Sequence, residues 1–253
     1  MLRVRNLDVG IGERILCRAL DFDLAAGRSL AILGRNGAGK STLLGALAGL
    51  QPAPGHVELE GCALHDHAPR ELARLRAWCA QQQNDAFAAT VLETALIGRH
   101  PHLGRWASES EADVALVMQA LARVGIEHLA AHEVHTLSGG ERQLLALATA
   151  LVQSPRLYLL DEPLNHLDLN HAMACLRVLD EEKRQGRTLV AVLHEPNLSL
   201  RHFDEALLLF GDGTWLHGDS AAIITAGNLQ RLYGHPLRAL RDNDTQWFIP
   251  EQP

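Results

Sequence analysis

Eight consecutive residues, Gly34-Arg35-Asn36-Gly37-Ala38-Gly39-Lys40-Ser41, carry the densest chemistry in this chain. They fit G-x-x-x-x-G-K-[ST], in which glycines let backbone N–H groups turn inward around an anion without Cβ clashes. Lys40 offers a point charge to the β- and γ-phosphates and Ser41 a hydroxyl to Mg²⁺, with Thr42 completing the cradle. The setting agrees. "RSLAILG" before it reads as a short buried strand, and "KSTLLGALAGL" after it as a helix whose N-terminus adds partial positive charge. Binding of ATP or GTP follows from this stretch; what the nucleotide is used for does not.

Two further stretches bear on the same chemistry. In "LYLLDEP" the apolar residues 157–160 read as a strand that delivers Asp161 to its C-terminal end, where ligands sit in open α/β sheets. Asp161 suits Mg²⁺, held through water, and Glu162 suits the polarisation of a water attacking the γ-phosphate in line. In "HTLSGGERQLLALATALVQ" an apolar helix opens on Ser138-Gly139-Gly140. A hydroxyl, bare N–H groups and a helix N-terminus make a second anion site, yet one nucleotide does not need two cradles in one lobe.

The elements that must position these residues alternate between strand and helix, except where residues from about 90 to 153 read as almost wholly helical. The expected fold is therefore α/β: a core with an N-terminal antiparallel β subdomain, interrupted by an inserted all-helical subdomain. The expected division is 1–87 and 154–253 for the core, and 88–153 for the helical part. "EALLLFGDGTWLHG" reads as a hairpin turning at Gly211-Asp212-Gly213. No internal repeat is visible, so one nucleotide-binding module is expected, not a tandem pair.

Bulk composition narrows the classes. Hydrophobic residues at 47% and charged residues at 21% exclude a disordered chain, and a net charge of −7 without a Lys/Arg block argues against broad wrapping of nucleic acid. No apolar run reaches the length needed to cross a bilayer, and "MLRVRNLDVGIGER" lacks the apolar region of a secretory signal, so a cytoplasmic location is expected. The four cysteines, Cys17, Cys62, Cys79 and Cys175, are scattered and read as small buried hydrophobes. The His65/His67 and His100/His102 pairs read as loop histidines.

In order, "GRNGAGKS", the glutamine of "AWCAQQQ", "LSGGE", "LYLLDEP", "LNHLD" and "AVLHE" resemble the motifs of ATP-binding cassette (ABC) transporter ATPase subunits over nearly the whole chain. "LSGGE" is the most specific of the six. The resemblance implies a P-loop NTPase core of the RecA-like kind, with ATP and Mg²⁺ as ligands. It gives Gln81, or its neighbours Gln82 or Gln83, the role of the loop glutamine that contacts Mg²⁺ and the attacking water. His194 resembles the switch histidine at the γ-phosphate, and Asp168 the aspartate of a loop that crosses a dimer interface. It further implies a head-to-tail homodimer in which Ser138, Gly139 and Gly140 cap the γ-phosphate held by the other copy.

Three departures stand out. Ile11 falls where the family stacks adenine on an aromatic ring, Leu144 and Thr149 stand where arginine is common, and Glu195 follows His194 where aspartate is frequent. The family also implies separate integral-membrane permease chains, a periplasmic solute-binding protein, and a peripheral place on the cytoplasmic face of the membrane. The permease would dock near Gln81 and residues 84–104, with Phe87, Leu103 and Trp106 as contact candidates. "ETALIGRHPHLGRW" and "LQRLYGHPLRAL" are similar to importers of metal chelates, and "QQQ" and "EPLNHLD" favour cobalamin slightly over ferric siderophore or haem. The alternatives are a non-transport ATPase clamp of the same fold, which predicts a basic groove, and an importer of another solute such as molybdate.

Overall fold

The computed structural model describes residues 1–81, 88–104, 107–242 and 245–251. In chain order the elements are β1 (Leu2–Ile11), β2 (Arg14–Leu24), β3 (Ser29–Gly34), α1 (Lys40–Leu47), β4 (His56–Leu59) and β5 (Cys62–Ala63). There follow α2 (Pro69–Leu75), β6 (Arg76–Cys79), α3 (Val91–Leu96), α4 (Glu111–Val124), α5 (Gly139–Gln153), β7 (Leu157–Asp161) and α6 (Leu169–Arg184). The chain closes with β8 (Thr188–Val192), α7 (Pro196–His202), β9 (Glu205–Leu209), β10 (Trp215–Asp219), α8 (Ser220–Ile223), α9 (Ala226–Tyr233), β11 (Leu237–Asp242) and β12 (Thr245–Pro250). These residues form two compact units, Met1–Asp66 with Val190–Pro253, and His67–Leu189, and the division falls within β8.

In the first unit β1 and β2 form a hairpin that opens the four-stranded antiparallel order β2-β1-β4-β5, as the sequence predicts for the N-terminal part. Leu2, Val4, Leu7 and Val9 of β1 are buried, giving one core face. β3 is different: all six of its residues are buried, the pattern of a strand covered on both faces. It runs parallel to β9, with Gly34 opposite Leu209. β9 pairs antiparallel with β10 through the turn at Gly211 and Gly213, both left-handed at φ +79° and +90°. Leu193 N–H donates to Ile32 O at 3.1 Å, so the chain leaves β8 beside the end at which β3 gives way to the phosphate loop.

In the second unit β6 and β7 are parallel, with Cys79 opposite Leu160. The helical stretch read from sequence is present as α3, α4 and α5, and α4 and α3 both pack on α5. These helices share their compact unit with β6, β7 and α6. One polar cluster links them. Arg123 of α4 pairs with Glu182 at 2.8 Å and Glu181 at 3.2 Å, both on α6, while the Tyr158 hydroxyl of β7 donates to Glu182 at 2.8 Å. Burial raises the Tyr158 hydroxyl well above its usual range, so it stays a donor and satisfies the buried Glu182 carboxylate.

Leu144 of α5 is buried, and the half-buried Thr149 bonds back to Leu145 O at 2.9 Å. Both of these departures from the family pattern therefore serve packing, where an arginine would need its charge compensated. Cys17, Cys79 and Cys175 are buried, and burial pushes their thiols up to about 12, which makes them inert fillers. Among the described residues no helix is long and apolar enough to cross a membrane.

Candidate nucleotide site

The first unit holds the phosphate loop. Gly37 and Gly39 are left-handed at φ +76° and +94°, conformations that residues with a Cβ rarely adopt. A Cβ at Gly34 would lie 2.8 Å from Leu209 O, and one at Gly39 would lie 2.7 Å from the Leu16 side chain. Glycine is thus required by the turn at one position, by close approach at another and by both at Gly39. Lys40 is 5% exposed, and its ammonium donates to Gly34 O at 3.0 Å and Arg35 O at 3.2 Å, folding the loop around its charge. Helix α1 starts on Gly39 with no side-chain cap and no acidic residue in its first turn. A helix N-terminus without an acidic side chain of its own suits an anion.

Two other expected residues lie in this unit. His194 is exposed and follows β8 at the strand end beside β3, where the loop begins. Ile11, the residue the resemblance assigns to adenine, ends β1 opposite Arg14 and is 62% exposed, an aliphatic surface without a π-face.

The second unit holds the carboxylates. Asp161 ends β7 at 4% exposed, and Glu162 follows at 9%. Gln81 lies just beyond β6, and its Nε2 donates to Glu162 Oε2 at 2.7 Å, so the parallel register of β6 and β7 brings the glutamine to the carboxylate. Gln82, Gln83, Phe87 and Trp106 lie outside the described residues, and Leu103 is half-buried. Asp168 caps α6, accepting from His171 N–H at 2.9 Å. The backbone N–H of His171, then its charge, hold the Asp168 carboxyl below the usual range.

The helix start at Ser138 is less bare than the sequence alone indicates. Ser138 and Glu141 form a capping box: Glu141 N–H donates to Ser138 Oγ at 3.3 Å, and Ser138 N–H donates to Glu141 Oε2 at 2.7 Å. The Gly139 and Gly140 N–H groups are not the ones the box satisfies. The spacing S-x-x-E is the signal that identifies this cap in the sequence.

The two glycines have different reasons. A Cβ on Gly140 would lie 2.9 Å from His166 O, whereas one on Gly139 would meet only the His166 side chain at 3.7 Å. Gly140→Ala is expected to destabilise the protein by about 1–3 kcal/mol through overpacking. Gly139→Ala should be neutral or slightly stabilising, since alanine favours helix. Urea unfolding of the two variants checks this; equal midpoints would remove the close approach as the reason for Gly140.

A family model described as ABC transporter matches residues 17–165, more than half of the chain. The chain belongs to the ABC transporter family. It is an ATP-binding subunit of such a transporter, and an ATPase. It is 39% identical over 246 residues to the hemin import ATP-binding protein HmuV of Nocardia farcinica, covering 94% of this chain and 84% of that one. It is 39% identical over 238 residues to the ferric enterobactin transport ATP-binding protein FepC of Escherichia coli, covering 92% and 87%. Among solved structures, a metal-chelate type ABC transporter in an inward-facing conformation matches with a TM-score of 0.85 and 32% identity, covering 99% and 97%. In this ABC ATPase the residues that the sequence reading did not select are Glu141, Gln143 and Asn165. Gln143 Nε2 reaches Glu162 O at 3.5 Å, and Asn165 bonds to the Glu162 side chain.

Proposed function

We propose that this ABC ATPase drives import of an iron chelate, haem or a ferric siderophore, through separate permease chains supplied by a periplasmic binding protein. The similarity over nine-tenths of the chain to proteins named for hemin import and ferric enterobactin transport carries this reading. It works as a head-to-tail homodimer, peripheral on the cytoplasmic face of the membrane. Cobalamin, which the loop likenesses in the sequence favour slightly, is the third candidate solute, because these two relatives are named for iron chelates.

The roles follow residue by residue. The loop Gly34–Ser41 and Thr42 hold the triphosphate, with Lys40 exchanging its carbonyl partners for phosphate oxygens. Ser41 and Asp161 suit Mg²⁺: a hydroxyl and a carboxylate are the oxygen donors this cation takes, along with phosphate and water. When bound, Mg²⁺ neutralises charge on the phosphates. Glu162 accepts the proton of the attacking water, Gln81 orients that water and the metal, and His194 touches the γ-phosphate. The contact from Gln81 to Glu162 supports Gln81 as the loop glutamine. Ser138, Gly139 and Gly140 cap the γ-phosphate of the partner copy, and Asp168 lies on the facing loop. Ile11 contacts adenine by apolar area alone.

The test is reconstitution with its permease chains in vesicles, with the cognate binding protein loaded with haem, a ferric siderophore or cobalamin. Stimulated ATPase and uptake with an iron chelate are expected. Stimulation by cobalamin alone would overturn the choice of solute, and none by any of the three would overturn chelate import.

A further inference from the structure

Glu162 is held more firmly than a residue at a strand end requires. Its backbone is left-handed at φ +54°, a conformation that strains a residue with a Cβ and persists only where the surroundings fix it. Asn165 closes this turn twice. Its N–H donates to Glu162 O at 3.1 Å, and its side-chain Nδ2 donates to Glu162 Oε2. Gln81 Nε2 donates to that same oxygen at 2.7 Å. One carboxylate oxygen therefore receives two carboxamides, one from beyond β6 and one from the turn after β7.

We infer that Asn165 is a positioning residue for ATP hydrolysis, its carboxamide fixing the Glu162 carboxylate so that the other oxygen, Oε1, meets the attacking water. This rests on the reading of Glu162 as the group that accepts the water proton. A glutamate has three side-chain torsions, and a general base works only within hydrogen-bond reach of its proton. A misplacement of about 1 Å costs on the order of 100-fold in rate. One donor on Oε2 leaves the carboxylate able to pivot about that contact; two donors from different segments fix its plane. A carboxamide suits the task because it donates without bringing a second charge to the site. The turn is backed in its own right: His166, also left-handed at φ +63°, places its carbonyl where a Gly140 side chain would stand.

Asn165→Ala removes the donor, and Asn165→Asp keeps the shape but replaces the donor with a second carboxylate. Both are to be assayed in the assembled transporter for kcat and KM of ATP, beside Glu162→Gln, with equilibrium ATP binding as the control for an intact fold. The expected result is a fall in kcat of about 10- to 100-fold in both, with KM and ATP affinity within about threefold. In a Glu162→Gln background Asn165→Ala should lower residual turnover by less than about twofold, because the carboxylate it positions is gone. Unchanged kcat in the single variants would overturn the inference. So would a parallel loss of ATP affinity, which marks a merely structural turn. If Glu162→Gln itself keeps full turnover, the reading of Glu162 fails first; if it loses turnover and the Asn165 variants do not, only the role of Asn165 falls.

Discussion

Lys40→Ala is expected to lower ATP affinity by about 10- to 100-fold, the worth of one charge-assisted contact to phosphate of roughly 1.5–3 kcal/mol. Turnover should fall further, by about 10²–10³, because the same ammonium faces charge that develops in the transition state. The structure gives a second reason for a large effect. The Lys40 ammonium is the donor to Gly34 O and Arg35 O, so alanine removes both the ligand contact and the tie that folds the loop. Isothermal titration with ATP checks the first part, and unchanged affinity would remove the loop as the phosphate site. Lys40→Arg is a useful companion: it keeps the charge but not the compact geometry, and the ammonium occupies a site only 5% exposed.

Glu162→Gln should abolish steady-state turnover, by about 10²–10⁴, the usual worth of a general base, while ATP binding persists. The substitution is nearly isosteric, and a glutamine carbonyl can still accept from Gln81 Nε2 and Asn165 Nδ2. The strained turn at φ +54° is therefore kept and only the basicity is lost. With ATP the variant should accumulate as a dimer on size exclusion, since in the proposed homodimer the nucleotide between the copies would no longer be cleaved. Wild-type turnover would contradict the role given to Glu162. Loss of turnover together with loss of ATP binding would point to a folding defect and set the two cases apart.

Much of this was legible in the chain because its physics is local. Gly37, Gly39 and Lys40 declare a phosphate loop through spacing alone, and the left-handed glycines and the uncapped start of α1 are what that spacing demands. The buried run 157–160 announces a covered strand and so fixes Asp161 at its end. The features that escaped are those that depend on contacts between segments. Asn165 looks like any loop asparagine until the turn brings it back onto Glu162. Gly140 reads as part of an anion site, while its tightest constraint is the carbonyl of His166, twenty-six residues away. The hairpin β11–β12 has little local signature, because "LRALRD" and "TQWFIP" are short and carry no strong alternation. Three adjacent glutamines left the register of the loop open, and the parallel pairing of Cys79 with Leu160 is what favours Gln81.

The same distinction applies to the signature helix. Its capping box accounts for Ser138 and Glu141 within one chain, and the close approach to His166 accounts for Gly140, so none of the three needs a partner copy to explain its place in the fold. What a single chain does not explain is an exposed Gly139 at the head of a fifteen-residue apolar helix. A ligand carried by a second copy, as in the proposed homodimer, would give it a reason.

That claim, a site shared between two chains, is tested most directly by mixing two inactive variants, Lys40→Ala and Ser138→Arg. Each homodimer has both sites broken, one at the phosphate loop and the other at the cap. A mixed dimer, purified through a different tag on each chain, has one site with both halves intact. Recovery of ATPase activity is expected in the mixed dimer alone, at about half of the wild-type value or less. A purified mixed dimer as inactive as its parents would contradict it.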